Sequence, residues 1–256
     1  MSSEPTSALP LRNAPLRIAM WSGPRNISTA MMRAFENRAD TTVVDEPLYG
    51  HYLAATGIEH PGRDAIVAAM NCDWRAVVRD LTEAPIARGT VHYQKHMTHH
   101  LLPVIDRGWL DRVVNCFLIR DPAEVVASYL EKRDSVSLAD IGIREQAEIF
   151  ERAADRLGQA PPVIEGRDIQ ADPRALLTAL CAAIGIAFDP AMLSWPAGRR
   201  ATDGVWAPHW YAAVEASTGF APPSPAKPPP PGHEALIDEA RPYYERLRAH
   251  RLTGAA

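Results

Sequence analysis

The sequence predicts an α/β fold in which a parallel β-sheet is flanked by helices, and three observations predict it. Short apolar runs recur at 16–22, 41–45, 90–95, 113–119 and 162–165. Helical periodicity fills the intervals between them, at 26–37, 63–70, 73–83, 122–133, 137–157 and 173–185. Two of those helices open on Asp-Pro, at Asp121-Pro122 and Asp172-Pro173, which reads as an N-cap followed by proline at the first helical position. Such alternation calls for parallel strands joined by right-handed crossovers, with ligands bound beyond the carboxyl ends of the strands.

Each element has its own justification along the chain. Residues 1–14 are rich in Ser, Pro and Ala without periodicity and read as a loose leader, which leaves 15–256 as a single domain. Leu16 to Trp21 is an apolar strand ending in Ser22-Gly23-Pro24, a turn that restarts as a hydroxyl-rich helix. Thr-Thr-Val-Val-Asp at 41–45 and Thr-Val-His-Tyr-Gln-Lys at 90–95 carry the β-branched and aromatic residues of strands. Val113 to Ile119 is the most apolar run after the first, and 162–165 is a shorter one. Pro222 to Gly232 holds seven prolines in eleven residues and cannot form a packed element, whereas 233–251 has the pattern of an amphipathic terminal helix.

Composition excludes several function classes. The 256 residues are 46% hydrophobic, ample for one large core. A net charge of −4 gives no global basic field, so no nucleic-acid partner is expected. Cys72, Cys116 and Cys181 are odd in number and far apart, the pattern of reduced thiols and not of a disulfide or metal framework. With neither a signal-like apolar core before Leu16 nor a run approaching eighteen apolar residues, a soluble cytoplasmic protein with no membrane partner is expected.

The chemistry concentrates at two strand ends. After the first strand, Arg25, Asn26, Ile27, Ser28 and Thr29 place a fixed cation, two hydroxyls and the free N–H groups of a helix start around one small volume, an anion cradle. It is not the nucleotide-triphosphate loop, because Ile27 and Ser28 stand where that motif needs Gly and Lys. After the fourth strand, Arg120 leaves the strand end and Ser128, eight residues on, faces back from the following helix, so the two could hold a second phosphate. The plainer alternative is that Arg120 pairs with Asp121 or Glu124.

Together these segments resemble the sulfotransferase family that uses 3′-phosphoadenosine 5′-phosphosulfate (PAPS), a P-loop NTPase-like architecture. Pro24-Arg25-Asn26-Ile27-Ser28-Thr29 follows the family's first signature, and Arg120, Pro122 and Ser128 keep the spacing of its second. Arg199-Arg200, Gly204 and Trp206 echo a third, C-terminal one. The resemblance implies that Arg25, Asn26, Ser28 and Thr29 surround the 5′-phosphosulfate, that Arg120 and Ser128 hold the 3′-phosphate, and that Arg199, Arg200 and Trp206 complete the donor site without a metal. Ile27 departs from the family's glycine; its side chain narrows the loop and disfavours a left-handed backbone there.

Sulfuryl transfer needs a base for the acceptor and charge compensation for the leaving phosphate. Glu46, after Val43-Val44-Asp45 and before Pro47, is the favoured base; His96, beside Lys95 at the third strand's end, is the other candidate, and Lys95 is a candidate to stabilise the bridging oxygen. Glu46 could instead merely end its strand and cap the next segment. His96 and His100, four apart, suggest a metal site only weakly, since no acidic or cysteine ligand completes a set nearby. The function expected is transfer of a sulfuryl group to a hydroxyl or amine of a small molecule. Two alternatives stand beside it: a nucleoside-kinase-type phosphotransferase with a variant loop, and a non-catalytic nucleotide-binding module. Tyr49, His51, Tyr52, Trp74, Tyr93 and Trp109 are candidates to line an acceptor pocket, while Trp206, Trp210 and Tyr211, at helical spacing, read as core.

Overall fold

A computed structural model of the protein describes residues 14–131, 133–225 and 228–254; the expected leader at 1–14 lies, apart from its last residue, outside the described residues. Five parallel strands form one sheet in the order β2-β3-β1-β4-β5: β1 (Leu16–Ser22), β2 (Thr41–Asp45), β3 (Val91–Met97), β4 (Val114–Ile119) and β5 (Val163–Glu165). The helices, in chain order, are α1 (Ser28–Glu36), α2 (Tyr49–Thr56), α3 (Arg63–Ala69), α4 (Trp74–Glu83), α5 (Pro122–Leu130), α6 (Leu138–Ile141), α7 (Ile143–Leu157), α8 (Gly166–Ala171), α9 (Pro173–Ala183), α10 (Ala207–Trp210), α11 (Ala212–Glu215) and α12 (Glu234–Arg248). All five strands fall within a residue or two of their expected places.

Both sheet faces are covered, which explains why β1 and β4 are apolar apart from Arg17, Ser22 and Asn115. Trp21, Phe117 and Ile119 pack on one face with residues of α4, α5, α7 and α12, while Ile18, Met20, Cys116 and Leu118 pack on the other with α1 and α9. The chain leaves β1 toward β2 and leaves β4 toward β5, in opposite directions from adjacent strands, so a crevice opens between their carboxyl ends. That crevice positions the site.

Helices α2, α8, α10 and α11 have no counterpart among the expected ones, α5 stops at Leu130 short of 133, and three other helices differ in their ends or continuity. The helix expected over 137–157 breaks at Gly142, which takes φ 69° where a Cβ would sit 2.7 Å from the Thr98 hydroxyl oxygen. Ser137 and Asp140 close a capping box on the short α6 before the break. The helix after β1 begins at Ser28, two residues later than expected, because Arg25 adopts φ 57° and turns the chain first. The terminal helix spans Glu234–Arg248 and tolerates Pro242 inside it. The described residues of the proline-rich segment form neither helix nor strand.

Two buried polar contacts fasten peripheral segments, one to α1 and one to the sheet. Arg33 of α1 donates to Asp203 at 2.7 Å with both side chains essentially inaccessible, and Glu36 lies 3.4 Å from the same guanidinium. At the end of β5, Glu165 accepts a 2.7 Å hydrogen bond from Tyr244 of α12, and beyond α12 the Leu252 N–H donates to Val163 along the sheet edge. Burial pushes the Glu165 carboxyl up to about 7.

Two stability measurements follow from these contacts. Asp203→Ala leaves a buried guanidinium with only Glu36 and is expected to cost about 3 kcal/mol in urea denaturation. Because Glu165 binds its proton more tightly folded than unfolded, its contribution is fully present below about pH 4.5 and is lost as pH rises through about 7. Glu165→Gln, which still accepts from Tyr244, should therefore raise the melting temperature at pH 8 more than at pH 5, by at most about 3 kcal/mol in stability at 1.36 kcal/mol per pKa unit. An equal shift at the two pH values would contradict the buried-carboxyl account.

Candidate active site

The turn after β1 is held from three sides. Arg25 donates its Nε–H to the Ser128 hydroxyl at 3.0 Å, and the Arg120 guanidinium donates to the Arg25 carbonyl. Asn26 reaches the Leu118 carbonyl at 3.3 Å and accepts from the Ile27 N–H at 2.9 Å. Gly166 makes room for it, since a Cβ there would sit 2.5 Å from the Asn26 side-chain oxygen. Asp side chains cap α4, α5 and α9, but α1 starts from Ile27 with no side-chain cap. The N–H groups of its first turn are therefore left for something else to satisfy. Ile27 itself lies at φ −85° and packs against the core; the left-handed conformation falls on Arg25 instead, so the bulk of Ile27 does not strain the loop.

Arg25, Asn26, Ile27, Ser28 and Thr29 line a cavity of about 580 Å³ together with Glu46, Lys95, Arg120, Ser128 and Trp206. A smaller cleft of about 280 Å³ adjoins it across Asn26, Arg120 and Ser128. In that cleft Glu124 lies 3.1 Å from Arg120 and 2.8 Å from Arg167, and Arg167 also donates to the Ser224 carbonyl at 2.9 Å. The pairing of Arg120 with Glu124, weighed as the plainer alternative, thus coexists with its contact to the loop.

At the far side of the cradle the ends of β2 and β3 converge on one ammonium. Lys95 donates to Asp45 at 2.8 Å, to Glu46 at 2.6 Å and to the Tyr211 hydroxyl at 2.6 Å, which uses all three of its protons. The Tyr211 hydroxyl donates to Asp45 at 2.7 Å and accepts from the Trp206 indole at 3.1 Å. Burial works against the Lys95 charge, but Asp45, Glu46 and Tyr211 outweigh it and raise its pKa well above the ordinary value. Burial also dominates at Glu46 and raises its carboxyl despite Lys95. Register explains the meeting: Asp45 and Lys95 are partners in the β2–β3 ladder, and Glu46, at φ 42°, turns back onto the same ammonium while its N–H bonds the Lys95 carbonyl at 2.9 Å.

Three expected site residues are placed elsewhere. His96 is adjacent to Lys95 on a strand and so points to the opposite face. There it stacks on Trp21 at 4.4 Å and bonds Gln94 at 3.1 Å, and burial pushes its pKa down to about 3. It does not line the cavity, which removes it as the base. For the same reason it does not converge with His100, which faces the cavity and stacks on Tyr49 at 4.4 Å. Arg200 pairs with Glu36 at 3.3 Å beside the Arg33–Asp203 contact, and the more exposed Arg199 lies 3.6 Å from Glu215. Neither borders the two cavities.

Residues not anticipated from sequence, with the anticipated Tyr49, fill the gap. Asp45 and Tyr211 complete the Lys95 network, Arg167 and Gln170 border the smaller cleft, and Tyr49, His60, His100, Arg133 and Trp210 wall the larger cavity. Of the six aromatic residues expected as pocket lining, Tyr49 alone is on that wall; Tyr93 and Trp109 are core residues. Strand periodicity could have identified Asp45, which lies opposite Lys95 in the ladder. Nothing local marks Tyr211.

A family profile described as Sulfotransferase domain matches residues 16–251. Two Arabidopsis thaliana proteins named branched-chain-amino-acid aminotransferase-like protein 1 and 2 are 38% and 35% identical over 236 residues, covering 91% of this chain. The chain spans 42% and 41% of those relatives, under half of their length. The crystal structure of a sulfotransferase from Alicyclobacillus acidocaldarius superposes with a TM-score of 0.54 at 15% identity, covering 93% of this chain and 97% of that one, a likeness of fold. From Leu16 at the first strand to Arg251 at the sheet edge, the chain belongs to the sulfotransferase-domain family.

Proposed function

We propose that the protein transfers a sulfuryl group from PAPS to a hydroxyl or amine of a small molecule. One observation carries the reading: the uncapped, arginine-flanked start of α1 and the Glu46–Lys95 pair open onto the same cavity. A donor with phosphate groups at two ends fits two adjoining compartments. The first-turn N–H groups of α1, with Arg25, Ser28 and Thr29, would hold the 5′-phosphosulfate. Ser128, Arg120 and Arg167 would meet the 3′-phosphate in the smaller cleft, where it would replace Glu124 on the two guanidinium groups.

In the transfer the acceptor oxygen or nitrogen forms a bond to sulfur, the bond from sulfur to the bridging phosphate oxygen breaks, and its electron pair leaves with the nucleotide. Glu46 is placed to take the acceptor's proton: its raised pKa makes it a stronger base than an exposed carboxylate. Lys95 holds the Glu46 oxygen at 2.6 Å and supplies positive charge beside the reacting centre. Arg25, held in a left-handed backbone by the Arg120 contact, keeps its guanidinium in the cavity, bonded to the Ser128 hydroxyl.

Calorimetric titration in chelator should show 3′-phosphoadenosine 5′-phosphate binding far more tightly than ATP; equal affinities, or a requirement for Mg²⁺, would overturn the donor assignment. Glu46→Gln keeps the contact to Lys95 but removes basicity, and turnover should fall by roughly 10²–10⁴ with nucleotide affinity unchanged. In the wild type, the rate should fall as acidification protonates Glu46, with a midpoint above the ordinary carboxylate value. Near-normal turnover in Glu46→Gln would exclude it as the base. Arg120→Ala should weaken the nucleotide by about 1.5–3 kcal/mol, the worth of a charge-assisted contact.

A further inference from the structure

The cavity continues past Glu46 along a wall of rings that ends at a cation. His100 Nδ1 lies 3.9 Å from the Glu46 carboxylate and has no hydrogen-bond partner among the described residues. Its ring stacks on Tyr49 at 4.4 Å, 11° from parallel. The Tyr49 hydroxyl meets the His60 ring nitrogen at 2.8 Å, His60 lies against Trp210 at 5.5 Å, and the Arg133 guanidinium sits 5.9 Å from the Trp210 ring centre. Glu46, Tyr49, His60, His100, Arg133 and Trp210 all border the same cavity.

Arg133 differs from the other arginines near the site. Arg33, Arg120, Arg167 and Arg200 each have a carboxylate partner and Arg25 is taken up by the Ser128 hydroxyl, whereas no ion pair with a described carboxylate forms at Arg133. The rings beside it do not share its charge: burial holds His60 below its ordinary value, with Arg133 adding to the effect, and burial lowers His99 to about 4 and His100 well below its ordinary value. The cavity is thus polarised, with a carboxylate able to accept a proton at one end, a guanidinium at the other and flat, uncharged rings between.

We propose that Arg133 is an anion subsite that takes the carboxylate of a hydroxyaryl acid acceptor, whose ring lies along the Tyr49–His100 wall and whose hydroxyl reaches Glu46. A guanidinium fork matches a carboxylate with two parallel hydrogen bonds, and the Trp210 ring flanks it at 5.9 Å. Like the ring wall, an aryl spacer is flat and uncharged. The assignment rests on the sulfuryl-transfer reading for the fate of the hydroxyl, but not for the anchoring of the acid.

The test compares 4-hydroxybenzoate, 4-hydroxyphenylacetate and 3-(4-hydroxyphenyl)propionate with their primary amides, which keep the shape and lose the charge. With PAPS as donor, at least one acid should exceed its amide by about tenfold or more in kcat/KM. Arg133→Gln should bring that acid down to its amide, leaving the amide's kcat/KM, the affinity for 3′-phosphoadenosine 5′-phosphate and the melting temperature near wild type. Acids and amides turned over equally by the wild type, or an equal loss on both in Arg133→Gln, would overturn the subsite and leave the donor reading standing. Calorimetry of the same acids without donor separates the two failures. Acid binding that disappears in Arg133→Gln, without turnover by either protein, would keep the subsite and remove the donor reading, whereas acid binding equal in both proteins would remove the subsite.

Discussion

The ammonium of Lys95 is the contact on which the site depends. It is inaccessible to solvent, and a charge so placed is tolerable only because Asp45, Glu46 and Tyr211 use all three of its protons. Asp45 and Glu46 are consecutive at the end of β2 and Tyr211 lies in the segment joining α10 and α11, so one satisfied charge on β3 fixes two other pieces of chain around the cavity. Removing any partner would leave a buried charge short of a bond, which explains why so polar a cluster stays ordered beside an apolar core.

Arg25 and Glu46, the two left-handed non-glycine residues among the described ones, both border the cavity those contacts shape. Such backbone is costly for a residue with a side chain and persists only where the surroundings over-determine it. Here they do: Arg120 holds the Arg25 carbonyl, and the Glu46 N–H bonds the Lys95 carbonyl while its side chain bonds the Lys95 ammonium. The strain falls on the turns that follow β1 and β2, where the sheet delivers side chains to the crevice.

Away from the cavity, charges of the same kind serve packing. Arg33, Glu36, Arg200 and Asp203 form a compact group that fastens α1 to the chain just before α10. An arginine pair with a glycine and a tryptophan behind it carries the spacing of a donor motif in either circumstance. Only the partners distinguish them: Trp206 reaches the cavity while Arg199 and Arg200 turn to Glu215 and Glu36.

The sheet was legible because strand and helix periodicities are local, and the order of elements then limits the topologies that cover both faces. By itself the chain determined the five strands, the Asp-capped helices and the turn at 25–29 that opens α1 at the cavity, each written in neighbouring residues. It also held an unread signal, since alternation along β3 already separates Lys95 from His96. Tertiary structure decided what depends on distant chain: Tyr211 reaching Lys95 across 116 positions, Arg33 meeting Asp203 across 170, and Arg133 left without a described carboxylate at the end of the ring wall. A buried charge is stabilised by whichever partner the fold brings within bonding distance, and that distance is a property of the packed layers, not of any window of sequence.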